Sequence, residues 1–231
     1  MSTATIMIGD KEVPYRVQIG NDPKYIHLKF TKNLELEIIL PPDSHTDVES
    51  VLRKKRAWIE RKYHVLSNRR CVFDNGRVLY KGAYRDICIV PSNQDEPPVI
   101  MRDGQVLVHL DGRPHNHLRA LKEWMKTETT KLVTQKLGEY TQRFDISFRD
   151  VYVKTTKQWG YCTNKGDLVF NWQLIALPDT LIDYVVLHEL AHRSEFSYSK
   201  KFRALLGSMC PDFRERRGEL NYFCISKPRT S

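Results

Sequence analysis

The sequence predicts an α+β protein: a strand-rich N-terminal region, residues 1–111, followed by a helix-dominated region, residues 112–231. Three observations predict it. Apolar and polar residues alternate through residues 4–40 and again through 77–110, the period of half-buried strands. From residue 114 onward, apolar residues recur every three to four positions, the period of helices. Inside that helical region, "LHELAH" at 187–192 sets His188, Glu189 and His192 in H-E-x-x-H spacing.

The elements follow in order. "ATIMIG", "VPYRVQI", "KYIHLKF" and "LELEIIL" read as four short strands, with turns at Gly9-Asp10, Asn21-Asp22-Pro23 and Lys32-Asn33. Pro41-Pro42 ends this set. "DSHTDVESVLRKKRAWIERKYHVL" reads as an amphipathic helix with Val48, Val51, Leu52, Ile59 and Tyr63 inward, and Thr46 with Glu49 as a capping box. "RVLYKG", "YRDICIV", "PVIMR" and "QVLVHL" form a second strand set, the last two joined at Asp103-Gly104, a hairpin signal.

A long helix spans 114–144, with Leu118, Leu121, Trp124, Met125, Leu132, Val133 and Leu137 as its apolar positions. "ISFRDVYVK" and "DLVFNWQLI" read as strands flanking a loop, "TTKQWGYCTNKG". Pro178 introduces the motif helix, for which Thr180 with Asp183 forms a capping box. One or two short helices end the chain after residue 199, broken near Pro211.

Composition narrows the classes. A content of 41% hydrophobic and 28% charged residues is that of a soluble globular chain long enough to bury a core. No apolar run approaches the roughly 18 residues of a membrane span. The N-terminus lacks the basic and apolar stretches of a secretory signal. The five cysteines form no C-x-x-C pair, which argues against a zinc knuckle or a disulfide framework and for free thiols in a reducing cytoplasm. A net charge of +9 favours acidic partners, nucleic acid included, although it serves solubility equally well. "RKKRAWIERK" at 53–62 carries Lys54, Lys55, Arg61 and Lys62 on a helix that either grips phosphates or is simply solvated.

The motif helix carries the chemistry. Residues four apart share one helix face, so His188 and His192 can reach one ion. Glu189 beside them can take a proton from an attacking water without ligating the ion. Leu181, Ile182, Val185, Val186, Leu190 and Ala191 make the helix apolar nearly all round, hence buried. Two imidazoles and a carboxylate there need a polar reason. The competing reading is a pair of hydrogen-bonded core histidines.

The stretch from Thr155 to Phe202 resembles the YgjP-like zinc metallopeptidases, relatives of the SprT-like proteins. Their pattern is close to R-W-G-S-C-S, a strand with N-W-R-L, V-V-H-E-L-x-H, and N-H-S with a following aromatic. Here Trp159-Gly160, Cys162, Lys165-Gly166, Asn171-Trp172, Leu174, Asp183–Val186, His188-Glu189-Leu190, His192, Ser199 and Phe202 match. Upstream, "LEIILPPDSHTDVESVLRKKRAWIERK" and "RVLYKGAYRDICIV" look like the family's first strand, Trp-containing basic helix and second strand pair. The resemblance implies a zincin-like domain around the motif helix, one zinc ion on three histidines, and peptide hydrolysis. Gln158 and Tyr161 stand where the family has Arg and Ser. Tyr198 stands six residues after His192, in the place of the third zinc histidine.

Four options exist for that third position. Tyr198 binds through its phenolate, a poorer match to zinc than imidazole. Glu195 binds, although on a straight helix it lies about 10 Å from His188 along the axis. His115 or His117 arrives from afar. Or the site is weak, and the chain is a catalytically degenerate relative acting as a binding module, nucleic acid included.

The expectations are therefore a cytoplasmic zinc metallopeptidase with loosely held zinc, acting on peptide or protein and not on membrane. His188 and His192 hold the ion, Tyr198 stands in the third-ligand position as ligand or as the mark of a weak site, and Glu189 is the general base. Tyr161 and Asn171 are candidate oxyanion or substrate contacts, and "DLVFNWQLI" is a candidate cleft-edge strand for substrate pairing. Trp159 and Trp172 are expected to pack rather than to react.

Overall fold

The computed structural model describes residues 4–21, 24–42, 46–92, 95–110 and 117–225. The fold is mixed α+β and divides into two compact units, one ending at Arg69 and one beginning at Arg70. The boundary expected between 111 and 112 falls inside the second unit. There Val99, Val106 and Val108 share one core with Leu121 and Met125 of the long helix.

The first unit holds β1 (Ala4–Ile8), β2 (Lys11–Ile19), β3 (His27–Phe30), β4 (Leu36–Leu40) and α1 (Val48–Ser67). The sheet order is β1-β2-β4-β3, with β2 and β4 parallel and the other pairs antiparallel. All four strands fall where alternation places them. The turn at Gly9-Asp10 is observed, with Gly9 at φ 57°; Asp22 and Pro23 lie outside the described residues. One face of the sheet and one side of α1 form the core: Ile8, Val13, Leu36, Ile38, Leu52 and Ile59. On β4, Glu37 lies between Arg16 of β2 and Lys29 of β3, and Lys29 in particular holds its carboxyl below the usual range. The cap of α1 differs from expectation. Asp47, not Thr46, accepts from the backbone N–H of Glu49 and Ser50, because its extended backbone turns the carboxylate onto the first turn.

The second unit holds β5 (Arg70–Cys71), β6 (Phe73–Asp74), β7 (Arg77–Tyr80), β8 (Ala83–Pro91), β9 (Val99–Arg102), β10 (Gln105–Leu110) and α2 (His117–Phe144). Next come β11 (Val151–Lys154), β12 (Gly160–Cys162), β13 (Leu168–Asn171) and a 3-10 turn at Trp172–Ala176. Helices α3 (Asp179–Ala191), α4 (Lys200–Met209) and α5 (Phe213–Leu220) follow, and β14 (Phe223–Cys224) closes against β5. One sheet has the order β6-β7-β8-β10-β9, another β11-β13-β12. The Asp103-Gly104 hairpin is present, both residues at positive φ.

Two expectations in this unit need correction. The span "DLVFNWQLI" is strand only to Asn171; Asn171 then turns the chain by capping the 3-10 segment, its Oδ1 accepting from Gln173 N–H at 2.8 Å. And β13 is the central strand of its sheet, not an edge: every residue of it is buried. The edges are β11 and β12, and β12 lies inside the expected loop.

Candidate metal centre

The motif helix α3 is set at its start by a docked turn. Backbone N–H groups of Lys81 and Gly82 donate to the carbonyls of Ile175 and Ala176 at 2.8 and 2.9 Å. Gly82 is required there: its φ is +79°, and a Cβ would come within 2.8 Å of Pro178. Pro178 precedes the helix without a side-chain cap, so the Thr180–Asp183 capping box does not form. Asp183 instead accepts from the Tyr140 hydroxyl at 2.7 Å and pairs with Lys136, both on α2. Burial and this carboxylate raise the Tyr140 hydroxyl far above its ordinary pKa. Arg216 of α5 donates to the Thr180 carbonyl. Leu181, Ile182, Val186 and Leu190 are fully buried, as an all-apolar helix requires.

The helix ends where the site begins. Ala191 is the last helical residue and His192 its C-cap. The following backbone folds back, with Ser194 and Glu195 N–H donating to the Ala191 carbonyl. This break brings Glu195 to His192, but through its backbone: the Glu195 carbonyl lies 3.1 Å from His192 Nδ1. A carbonyl only accepts, so His192 donates from Nδ1 and keeps its lone pair on Nε2. The Glu195 carboxylate meets the Ser199 hydroxyl at 3.4 Å. Ser199 in turn caps α4, accepting from Phe202 N–H at 3.1 Å.

Four rings converge. His188 and His192 centroids lie 5.0 Å apart, with planes at 79°. Tyr198 lies 5.0 Å from His192 and 5.8 Å from His188. Phe202 stacks on His192 at 4.3 Å and meets His188 edge-on at 5.2 Å. Burial, His192 and Arg217 depress the His188 imidazole to about 4, which keeps it neutral and able to ligate at pH 7. Its Nδ1 is buried and has no hydrogen-bond partner among the described residues.

Glu189 packs against β12. It is buried, 7% exposed, which pushes its carboxyl up to about 8, while a hydrogen bond from the Cys162 backbone opposes the rise. Gly160 makes room for it: a Cβ there would sit 2.9 Å from Glu189 Cγ and 3.1 Å from Phe170 Cδ1. Strand alternation puts Tyr161, 37% exposed, on the face of β12 opposite Gly160. Asn171 is fully buried; its Nδ2 donates to the Thr156 carbonyl at 2.7 Å, and its Oδ1 holds Gln173. Asn171 therefore ties down the 155–159 loop. Trp172 packs in the core with Trp159 against it.

Two imidazoles fit one cation. With each nitrogen about 2.0–2.1 Å from zinc at a tetrahedral angle, ring centroids fall roughly 5 Å apart, and the observed separation is 5.0 Å. An orphaned buried nitrogen on His188 calls for an explanation, and an ion held by that ring supplies one. Among the described residues, no third histidine joins the pair. Among the described residues, no three His, Cys, Asp or Glu side chains cluster to hold a metal. His117 starts α2, and His115 lies outside the described residues. The Tyr198 ring stands beside both imidazoles, 5.0 Å from His192 and 5.8 Å from His188.

A family model described as YgjP-like, metallopeptidase domain, matches residues 24–223, and the chain belongs to that family. No curated protein and no solved structure matches it. Among the described residues, no helix is long and apolar enough to cross a membrane, and all five cysteines are free.

Proposed function

We propose that the chain is a zinc-dependent peptidase in which His188 and His192 hold the ion, Tyr198 stands at the third position and Glu189 is the general base. The observation that carries this reading is the pairing of two convergent imidazoles with a buried carboxylate on one turn of an apolar helix. Zinc, when bound, supplies a Lewis acid that polarises the scissile carbonyl and brings the pKa of water toward about 7. Glu189 accepts the proton of the attacking water and passes it to the leaving amine. The Cys162 N–H orients that carboxylate, and Gly160 keeps its place open. Phe202 backs both imidazoles and limits their rotation.

Substrate pairs along β12. Among the described residues β12 has a partner on one side only. Asn171 N–H to the Trp159 carbonyl and Thr163 N–H to the Asp167 carbonyl fix which groups face β13. Alternation then turns the N–H and C=O of Gly160 and Cys162 outward; the Cys162 N–H goes to Glu189, and the other three groups are left to pair. An extended peptide added there reaches the two histidines.

Glu189→Gln tests the reaction. Turnover of an unfolded protein should fall about 10²- to 10⁴-fold, with zinc content unchanged; unchanged turnover ends the mechanism. A second reading is favoured by one observation, the 65% exposed phenol at the third position. In it the scaffold binds without cleaving. Loosely held zinc fits both readings, and metal-dependent cleavage separates them. A full complement of zinc resistant to chelators would reject the weak-site version.

A further inference from the structure

The first unit carries a surface that peptide hydrolysis does not use. Helix α1 exposes Trp58, 37% accessible, on a solvent face. Its nearest helical neighbours, at i−4, i−3, i+3 and i+4, are Lys54, Lys55, Arg61 and Lys62, all exposed. The two acids of α1, Glu49 and Glu60, lie on another side of the helix with Arg53 and Arg56, and Arg56 pairs with Glu60 at 2.9 Å. Among the described residues, Lys54, Lys55, Arg61 and Lys62 form no ion pair. One indole is thus ringed by four unneutralised cations along about 12 Å of helix.

We propose that this face of α1 binds single-stranded nucleic acid, with a base stacked on Trp58 and phosphates on Lys54, Lys55, Arg61 and Lys62. The charge selects a polyanion, in keeping with the net charge of +9. The indole selects a strand whose bases are open to stacking; a duplex hides them. A membrane surface fits less well. Val51, Leu52 and Ile59 are buried, and Trp58 is the one large apolar side chain of α1 that is exposed. An interfacial helix needs a whole apolar face.

Fluorescence anisotropy of the full chain with labelled oligothymidylate of about 16 nucleotides tests this. A duplex of equal length and phosphatidylglycerol vesicles serve as competitors. Log affinity should fall with log salt at a slope near −3, about −0.7 per phosphate. Replacing all four cations (K54Q, K55Q, R61Q, K62Q) should flatten that slope. Trp58→Ala should weaken binding roughly 5- to 150-fold at unchanged slope, with Trp58→Phe retaining most of the affinity. Circular dichroism of the variants should match the parent. Equal binding by the four-cation variant, no loss in Trp58→Ala with the fold intact, or displacement by duplex or vesicles in preference to single strand would overturn the proposal.

Discussion

Helices α1 and α3 carry their polar groups in opposite ways. Helix α3 is buried, and its histidines and glutamate are the exceptions in an apolar sequence. Helix α1 is half exposed, and cations are ordinary on its surface. A buried polar group announces itself by its cost, since removing it from water without a partner is unfavourable by several kcal/mol. A surface charge costs little, so its meaning lies in what surrounds it: cations at all four helical neighbour positions of Trp58, and Glu60 paired with Arg56 on the far side. The first kind of signal is visible in sequence; the second needs the helix built.

The comparison can be broken or sharpened by substitution. Leu190→Ala, inside α3 and fully buried, should destabilise by about 2–5 kcal/mol in urea denaturation. A smaller loss would mean that α3 is not the core element described. Asp183→Ala removes the acceptor of Lys136 and Tyr140. It should cost about 1–3 kcal/mol and loosen zinc, read as faster loss to a chelator.

A pH effect comes next. Arg149 holds the Asp167 carboxyl below its ordinary range, pinning the turn after β12. A depressed folded pKa stabilises above the unfolded value, about 3.9, and that stabilisation disappears as pH falls through the folded value. The urea midpoint of the parent should therefore approach that of Asp167→Asn between about pH 5 and pH 3. A constant gap across that range would rule the pair out as the cause. Lys54→Gln on α1 should shift stability by less than about 0.5 kcal/mol; a larger loss would make that cation structural.

Most strands, all five helices and the motif were legible because their periods are long enough to repeat. β12 was not, since three residues among Thr, Lys, Asn and Gly show no period. Gly160 was the available signal: a glycine in a strand marks a close approach, here that of Glu189. The caps were misplaced where neighbouring residues are chemically interchangeable, as with Thr46 and Asp47. Asp183, a plausible capping partner in sequence, is claimed by α2 across the core. The Glu195 carbonyl that orients His192 has no sequence signature, because every residue has a carbonyl. Nor does composition mark the division at Arg69, since alternating sequence resumes soon after it.

The chain leaves the helical path immediately after His192, and residue 198 returns on a short excursion that α4 then anchors. The occupant of the third position is therefore decoupled from the helix core. Tyr198→His should tighten zinc at little expense in folding. On the proposed reading, metal affinity in this scaffold is an adjustable trait, set by one solvent-facing side chain while the two inner rings stay fixed.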